Sequence, residues 1–333
     1  METEKPPTPD LYFDTIFAFQ RSAALKAAID VDLFTAIAGG ARTPKDLAAA
    51  CRIPERSARI LADYLTIAGF VVKSNGTYTL TPDTVAFLTK TSPTYLGGTA
   101  EFLYSSEVLE RVKTLSDTVR QGKPALNMVA GEDPAWVHFA RAMVPMMMPA
   151  AHAIADLIDA SAGQPMRVLD IAAGHGIFGI VIAQRNPKAE IVAADWPSVL
   201  AVASDHAGAM GVASRHHQLP GDAFKTDFGT GFDVALVTNF LHHFDRQTCV
   251  GFLRKTARAL KKGGRVAVLE FVPNDDRITP PMAARFSLTM LTNTDGGDAY
   301  TFRELSEMLT EAGFSQVTQH PLQGPETVLI ATT

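Results

Sequence analysis

Cysteine, basic charge and long apolar runs are all scarce in this chain, and each scarcity removes a class of protein. Only Cys51 and Cys249 occur, far apart, so there is neither a disulfide framework nor a thiolate metal spacing. Both read as ordinary buried or half-buried thiols. The 30 Lys and Arg residues are outnumbered by 35 Asp and Glu, for a net charge of -5. Broad nucleic-acid binding needs a basic surface that displaces counterions, and none is present. No uninterrupted apolar stretch approaches the ~18 residues that span a bilayer. The opening Met1 to Asp10 is acidic and proline-rich, without the apolar core of a signal peptide. The expectation is a cytoplasmic protein with no membrane and no nucleic-acid partner.

What is present is enough apolar residue for real cores, 47% against 20% charged, in 333 residues. That length suits two domains of ~100–200 residues each. From Leu11 to Ala38, Tyr12, Ile16, Phe19, Leu25, Ile29, Leu33 and Ile37 recur at threes and fours, which predicts a helix stopped by Gly39-Gly40. Thr43-Pro44 with Asp46 predicts a capped second helix, and Pro54 opens a third. Phe70 to Val72, Ser74-Asn75-Gly76 and Thr77 to Leu80 then read as strand, turn and strand. Helix, helix, hairpin is a winged-helix arrangement, which raises a DNA-binding regulator as one reading. The third helix interleaves Arg52, Arg56 and Arg59 with Glu55 and Asp63, and the wing has the single Lys73. Without a basic face, a packing and dimerisation module fits better.

Residues from Tyr95 to Ala160 read as several helices. Met143, Met146, Met147 and Met148 lie there among prolines, either as core filling or as an adaptable pocket for a flat apolar ligand. From Met166 strands and helices alternate. Strands are expected at Arg167 to Ala172, Ile191 to Ala194, His216 to Leu219, Phe232 to Thr238, Arg265 to Phe271, Ser315 to Pro321 and Glu326 to Ala331. The short link from Leu322 to Pro325 forces the last two to pair antiparallel, since a parallel crossover needs a dozen residues or more. The fold class is therefore α/β: a doubly wound, seven-stranded Rossmann-like sheet of the methyltransferase version, with an antiparallel last strand and an N-terminal all-α winged-helix dimerisation domain. The expected division is 1–98 for that domain, 99–160 for a helical linker with substrate-pocket helices, and 161–333 for the sheet domain.

The stretch from Arg167 to Gly179 organises the chain. Gly174-His175-Gly176-Ile177-Phe178-Gly179 is literally G-x-G-x-x-G, with Asp195 at about the spacing of a ribose-binding acid, so a nicotinamide oxidoreductase is a fair reading of it alone. Asp170, however, stands just ahead of the glycines and would repel a pyrophosphate. S-adenosylmethionine has no phosphate, and its ammonium and sulfonium favour a carboxylate there. Asp195 suits the ribose hydroxyls, and Asp222 follows the third strand in Gly221-Asp222-Ala223-Phe224. Phe224 and Trp196 offer faces for the adenine. The cofactor contacts expected are Asp170, Ala172, Gly174, Gly176, Asp195, Trp196, Asp222, Ala223, Phe224 and Asn239.

After the fourth strand comes Leu241-His242-His243-Phe244. An imidazole, with an unperturbed pKa of ~6.5, can take a phenolic proton near neutrality. A plain loop pair or a metal pair are the other readings, although adjacent turn histidines rarely converge on one ion. Glu270, at the end of the neighbouring fifth strand, is placed to orient the ring.

On V-L-D-I-A-A-G-H-G (168–176), A-A-D-W-P (193–197), G-D-A-F (221–224), L-H-H-F (241–244), K-K-G-G-R-V-A-V-L-E (261–270) and F-A-R-A-M (139–143), the chain resembles the small-molecule O-methyltransferases. These include plant caffeate and chalcone enzymes, hydroxyindole O-methyltransferase and bacterial polyketide tailoring enzymes. The resemblance runs from Leu11 to Thr333. It implies a homodimer through the N-terminal domain, S-adenosylmethionine as cofactor with S-adenosylhomocysteine as product, His242 as base and Glu270 as the first of two flanking glutamates. The chain departs from the family at Ala172, which replaces the first motif glycine, and at His243 and Phe244. It departs again at Ala299, where the second glutamate would stand, with Asp298 one position away.

The expected reaction is methyl transfer to a hydroxyl, phenolic by preference, of a small aromatic or polyketide-like acceptor. Its pocket candidates are Phe139, Met143, Met146, Met147, His243, Phe286, Met290, Asn293 and Asp298, and no metal is expected. A carbon methyltransferase of the same fold, with or without a metal, is the first alternative.

Overall fold

The computed structural model describes residues 6–129 and 131–333. The chain divides into two compact units, Met1–Ser105 and Ser106–Thr333.

In the first unit the helical pattern of Leu11 to Ala38 is broken into Asp10–Ile16, Ala18–Asp30 and Leu33–Ala38. The second break falls at Asp32, which adopts φ 58, a left-handed conformation that its short polar side chain tolerates. Periodicity alone does not register one such residue. Pro44–Cys51 starts with a full capping box: Asp46 N donates to Thr43 Oγ1 at 3.2 Å and Thr43 N to Asp46 Oδ2 at 3.0 Å. Glu55–Ile67 follows, then the antiparallel strands β1 (Val71–Ser74) and β2 (Thr77–Leu80). Asn75 and Gly76, at φ 50 and 78, make the tight turn between them.

Leu33, Phe34, Ile37, Leu47, Leu65, Val71 and Tyr78 form the core of this unit. Asp63 engages Arg59 at 3.1 Å and Lys73 at 2.5 Å, so the wing's lysine is neutralised within the unit. Leu11, Tyr12, Phe13, Ile16, Phe17 and Phe19 are all exposed.

The second unit holds a seven-stranded sheet of β3 (Met166–Ile171), β4 (Ala189–Asp195), β5 (His216–Pro220), β6 (Phe232–Thr238), β7 (Leu260–Phe271), β8 (Ser315–Pro321) and β9 (Glu326–Thr332). Its order is β5-β4-β3-β6-β7-β9-β8, parallel except for β9, which runs antiparallel to both neighbours. The order reverses direction between β3 and β6, and a ligand crevice opens at such a switch, beyond the carboxyl ends of the strands. The central strands are buried on both faces, which is why they read as nearly unbroken apolar runs. In the antiparallel pair Thr327 lies opposite Glu270 and Glu326 opposite Phe271. Among the described residues no helix is long and apolar enough to cross a membrane.

Candidate active site

The turn after β3 is built from left-handed residues: Ala172 at φ 52, Gly174 at φ 56 and Gly176 at φ 72, leading into the helix Ile177–Arg185. Gly179, inside that helix, serves packing. A methyl there would lie 2.5 Å from Ile191 Cγ2 and 3.0 Å from Asp170 Oδ2.

Asp195 ties the turn to β4, accepting from Gly174 N at 2.8 Å and from Trp196 N at 2.7 Å. Each of its oxygens keeps a second lone pair. Burial pushes this carboxyl up to about 6, against the pull of those two N–H groups. Asp170 is fully buried, and its Oδ2 accepts from Gly179 N at 3.1 Å. Its Oδ1 has no hydrogen-bond partner. Burial pushes Asp170 up to about 8, a state that a cationic ligand would reverse.

Asp222 accepts from Phe224 N at 2.9 Å and meets Lys225 at 3.0 Å. Burial works against its charge, but these contacts outweigh it and hold the carboxyl below the ordinary value. The Ala223 carbonyl accepts from Lys255 at 2.7 Å. Phe224 packs on Phe240, Phe244 and Phe252 and remains 38% exposed, leaving part of its ring open. Trp196 is half-buried in a cluster with Trp136, Val137, Ala140, Val199 and Val202.

Beyond β6, Asn239 takes φ 51 and the chain turns through Leu241–His243. Glu270 organises this turn. Its Oε1 accepts from the backbone N–H of Phe240 and of His242, both at 3.2 Å, and its Oε2 from the His242 ring at 2.5 Å. A carboxylate can only accept, so Nδ1 carries a proton, and in the neutral ring Nε2 is then the nitrogen with the free lone pair. The turn is supported from below. Cys249 Sγ donates to the Leu241 carbonyl at 3.2 Å and Tyr300 Oη to the Phe244 carbonyl at 2.6 Å. Gly297 packs so closely that a methyl there would strike the His242 carbonyl.

Around His242 stand Phe286, edge-on at 4.9 Å, and His243, at 4.2 Å. Burial and the neighbouring His242 hold the His243 pKa well below the ordinary value, so this ring stays neutral. Trp136 meets His243 edge-on at 5.4 Å, and Phe139 touches Trp136 and stacks on His175 at 6.3 Å. Met147 receives the Asn239 amide at 3.4 Å. Met143 and Met290 are buried, and Met146 is half-buried.

Two of the pocket candidates have other engagements. The Asn293 amide donates to the Thr289 carbonyl at 2.7 Å and to Thr292 Oγ1 at 3.0 Å. Asp298 is paired with Arg277 at 2.9 Å, and Ala299 beside it is fully buried. Arg277 comes from the loop after β7, far from Asp298 in sequence, and so that pairing is invisible to local reading.

Trp136, His175, Lys255 and Glu326 were not singled out from the sequence. Glu326 carried the clearest signal, an acid opening the otherwise apolar and β-branched run of β9.

Fold and site together define a nucleotide-type α/β enzyme with a waiting carboxylate at one strand end and a histidine–glutamate pair at another. The chain belongs to the O-methyltransferase family: residues 115–315 match the O-methyltransferase domain and residues 13–90 the O-methyltransferase dimerisation domain. A crystal structure of a Nostoc punctiforme PCC 73102 protein assigned as an O-methyltransferase is 47% identical, with a TM-score of 0.95 over 99% of this chain and 100% of that one. The 3-hydroxy-5-methyl-1-naphthoate 3-O-methyltransferase of Streptomyces sahachiroi is 29% identical over 93% of this chain and 90% of its own. PigF of Serratia sp. (strain ATCC 39006), an S-adenosyl-L-methionine-dependent methyl transferase, is 26% identical over 95% of this chain and 93% of its own. A structure of PigF with SAH matches at a TM-score of 0.83, with 25% identity over 98% of this chain and 100% of that one. The protein is an S-adenosylmethionine-dependent O-methyltransferase.

Proposed function

We infer that the enzyme methylates a phenolic hydroxyl on a small, flat aromatic acceptor of the hydroxynaphthoate or polyketide kind, with His242 as general base. The observation that carries this is the His242–Glu270 contact at 2.5 Å, with Glu270 held in turn by two backbone N–H groups. Asp170 Oδ1 suits the ammonium of the cofactor, Asp195 the ribose hydroxyls, and the open part of Phe224 the adenine. The cofactor, when bound, supplies a methyl group on a sulfonium, already a good leaving group.

The chain's own part is then placement and one proton. Phe286, Phe139, Trp136, Met143 and Met147 supply apolar and aromatic surface that a flat acceptor can lie against. Nε2 of His242 faces the acceptor hydroxyl and removes its proton, while Glu270 stabilises the resulting imidazolium through Nδ1–H. Holding the acceptor oxygen in place against the bound cofactor would supply most of the acceleration. Among relatives, the Streptomyces sahachiroi enzyme is a 3-hydroxy-5-methyl-1-naphthoate 3-O-methyltransferase, which favours fused rings here. The exposed Leu11, Tyr12, Phe13, Ile16 and Phe17 suit a homodimer contact within the dimerisation domain.

The test is turnover of a panel of phenols and naphthols by His242→Gln. A fall of about 10²–10⁴ with cofactor affinity kept is expected. Unchanged turnover on every accepted compound would remove His242 as base.

A further inference from the structure

Two buried polar groups near the histidine turn take no part in the proton transfer just described: Glu326, and Asn239, which the sequence offers as a cofactor contact. Asn239 is held left-handed at φ 51 with its amide nitrogen on Met147, and its Oδ1 is buried without a hydrogen-bond partner. Glu326 opens β9 opposite Phe271 and is only 7% exposed, and its Oε1 is likewise buried without a partner. The Asn239 amide hydrogen-bonds to the Glu326 carboxyl, which leaves Asn239 Oδ1 and Glu326 Oε1 as the unpartnered atoms, and Glu326 lies within electrostatic reach of both His242 and Glu270.

A continuous set of contacts joins this place to the reacting histidine. Phe271, beside Glu326, stacks on Phe286 at 3.8 Å, and Phe286 meets His242 edge-on at 4.9 Å. Buried acceptors without donors are rare in folded proteins, because the desolvation cost goes uncompensated. Both atoms are oxygens, so what is missing is a donor. The cofactor's cationic end already has Asp170 Oδ1 to meet.

We propose that Asn239 and Glu326 form a polar subsite in the acceptor pocket that binds a second protic group, an O–H or N–H, on the aromatic acceptor. The inference rests on the reading that the acceptor lies against His242. It makes the preferred substrates dihydroxy- or amino-hydroxyarenes rather than simple phenols. A site that lines up buried acceptors for a substrate donor discriminates strongly against the analogue lacking that donor, because the oxygens are then left unpaired. Burial raises Glu326 to about 7, with the Asn239 side chain lowering it, Glu270 raising it and His242 lowering it. Near neutrality only about half of this carboxyl is ionised and able to receive the donor, a share that grows as pH rises.

The experiment titrates the full-length protein, saturated with S-adenosylhomocysteine, with the isomers of dihydroxynaphthalene and with 1-naphthol and 2-naphthol. At least one dihydroxy isomer is expected to bind about 10–100-fold tighter than either naphthol. In Glu326→Leu that preference should disappear while S-adenosylhomocysteine binds as before. Should Glu326→Leu fail to bind S-adenosylhomocysteine, Glu326→Gln keeps the shape, removes the charge, and should lose about tenfold of the preference. No preference in the wild type, as when an ordered water already satisfies both oxygens, overturns the proposal, and so does a preference that survives the substitution.

Methyl transfer to the same compounds is measured separately. Preferential binding without transfer leaves the subsite standing and removes the phenol reading. Transfer to naphthols and dihydroxynaphthalenes bound equally well does the reverse.

Discussion

Asp170 and Glu270 are the same kind of group in the same kind of place, a carboxyl buried at the C-terminal end of a central strand, yet the fold treats them oppositely. Glu270 accepts three hydrogen bonds, from Phe240 N, His242 N and the His242 ring. Asp170 accepts one, from Gly179 N, and its other oxygen faces nothing. A buried carboxylate is tolerated when its lone pairs are met and is driven toward the neutral acid when they are not. Asp170 is accordingly pushed up to about 8 by burial. The His242–Glu270 pair is thus satisfied within the chain itself, whereas Asp170 keeps one buried oxygen unmet, which supports the proposed reading of the first as the acid–base half of the site and the second as the cofactor half.

Glu270→Gln tests the completed half and should have the largest effect. A glutamine carbonyl can still accept from the two backbone N–H groups, but its NH₂ cannot accept from Nδ1–H. The imidazole must then carry its proton on Nε2, where it no longer acts as a base. Turnover should fall by about 10²–10⁴, the range expected for loss of a general base through the wrong tautomer. Cofactor affinity, read by calorimetry, should stay put. A matching loss of cofactor affinity would show that the two halves are not independent.

Asp170→Asn tests the incomplete half, with a smaller expected effect. On the proposed reading that Asp170 meets the ammonium, removing its charge should weaken S-adenosylmethionine binding by about 10–100-fold, the worth of a hydrogen bond to a charged group. The pH dependence follows from the direction of the shift. Because Asp170 is raised to about 8, the wild type must release a proton to bind the cation, so affinity should rise with pH. The window to read is pH 5.5–7.5, about where the cofactor's α-amino group is still protonated.

Stability of the ligand-free protein should move the other way. A carboxyl raised from 3.8 to about 8 contributes stability that is fully present below 3.8 and lost as pH rises through 8. Asp195, raised to about 6, and Glu326, raised to about 7, act in the same sense at lower pH. Asp170→Asn should flatten the decline in melting temperature above pH 7 while leaving the contributions of the other two.

The contrast between the two carboxyls also marks what could be read from the residues alone. The inner strands of the large sheet were legible because each carries a short apolar run bounded by glycine, proline or charge, whereas β5 and β8 are polar edge strands with a weaker signal, and the antiparallel end followed from the short link before Glu326. The positions of Asp170 and Glu270 at strand ends were legible for the same reason. Which carboxyl would be satisfied was not, since that depends on backbone N–H groups of a turn, Phe240 and His242, whose direction no side-chain pattern encodes. Asp298 and Glu326 show the same limit. The acid next to the missing glutamate is taken by Arg277, while an acid on the last strand reaches the site through strand register.

The smallest effect should come from the turn that joins the two halves of the glycine motif. Ala172 holds φ 52, where an alanine Cβ crowds the following carbonyl at a cost of roughly 1–2 kcal/mol. Glycine adopts that conformation without the clash, but it also loses more backbone freedom on folding, by about 0.5–1 kcal/mol. Ala172→Gly should therefore stabilise the protein by only about 1 kcal/mol in a denaturant titration. The same change leaves the charge of Asp170 untouched, so cofactor affinity should change far less than in Asp170→Asn. If Ala172→Gly instead moved affinity as much as the loss of the charge does, the cofactor half would be governed by the shape of its turn rather than by the unpaired carboxyl.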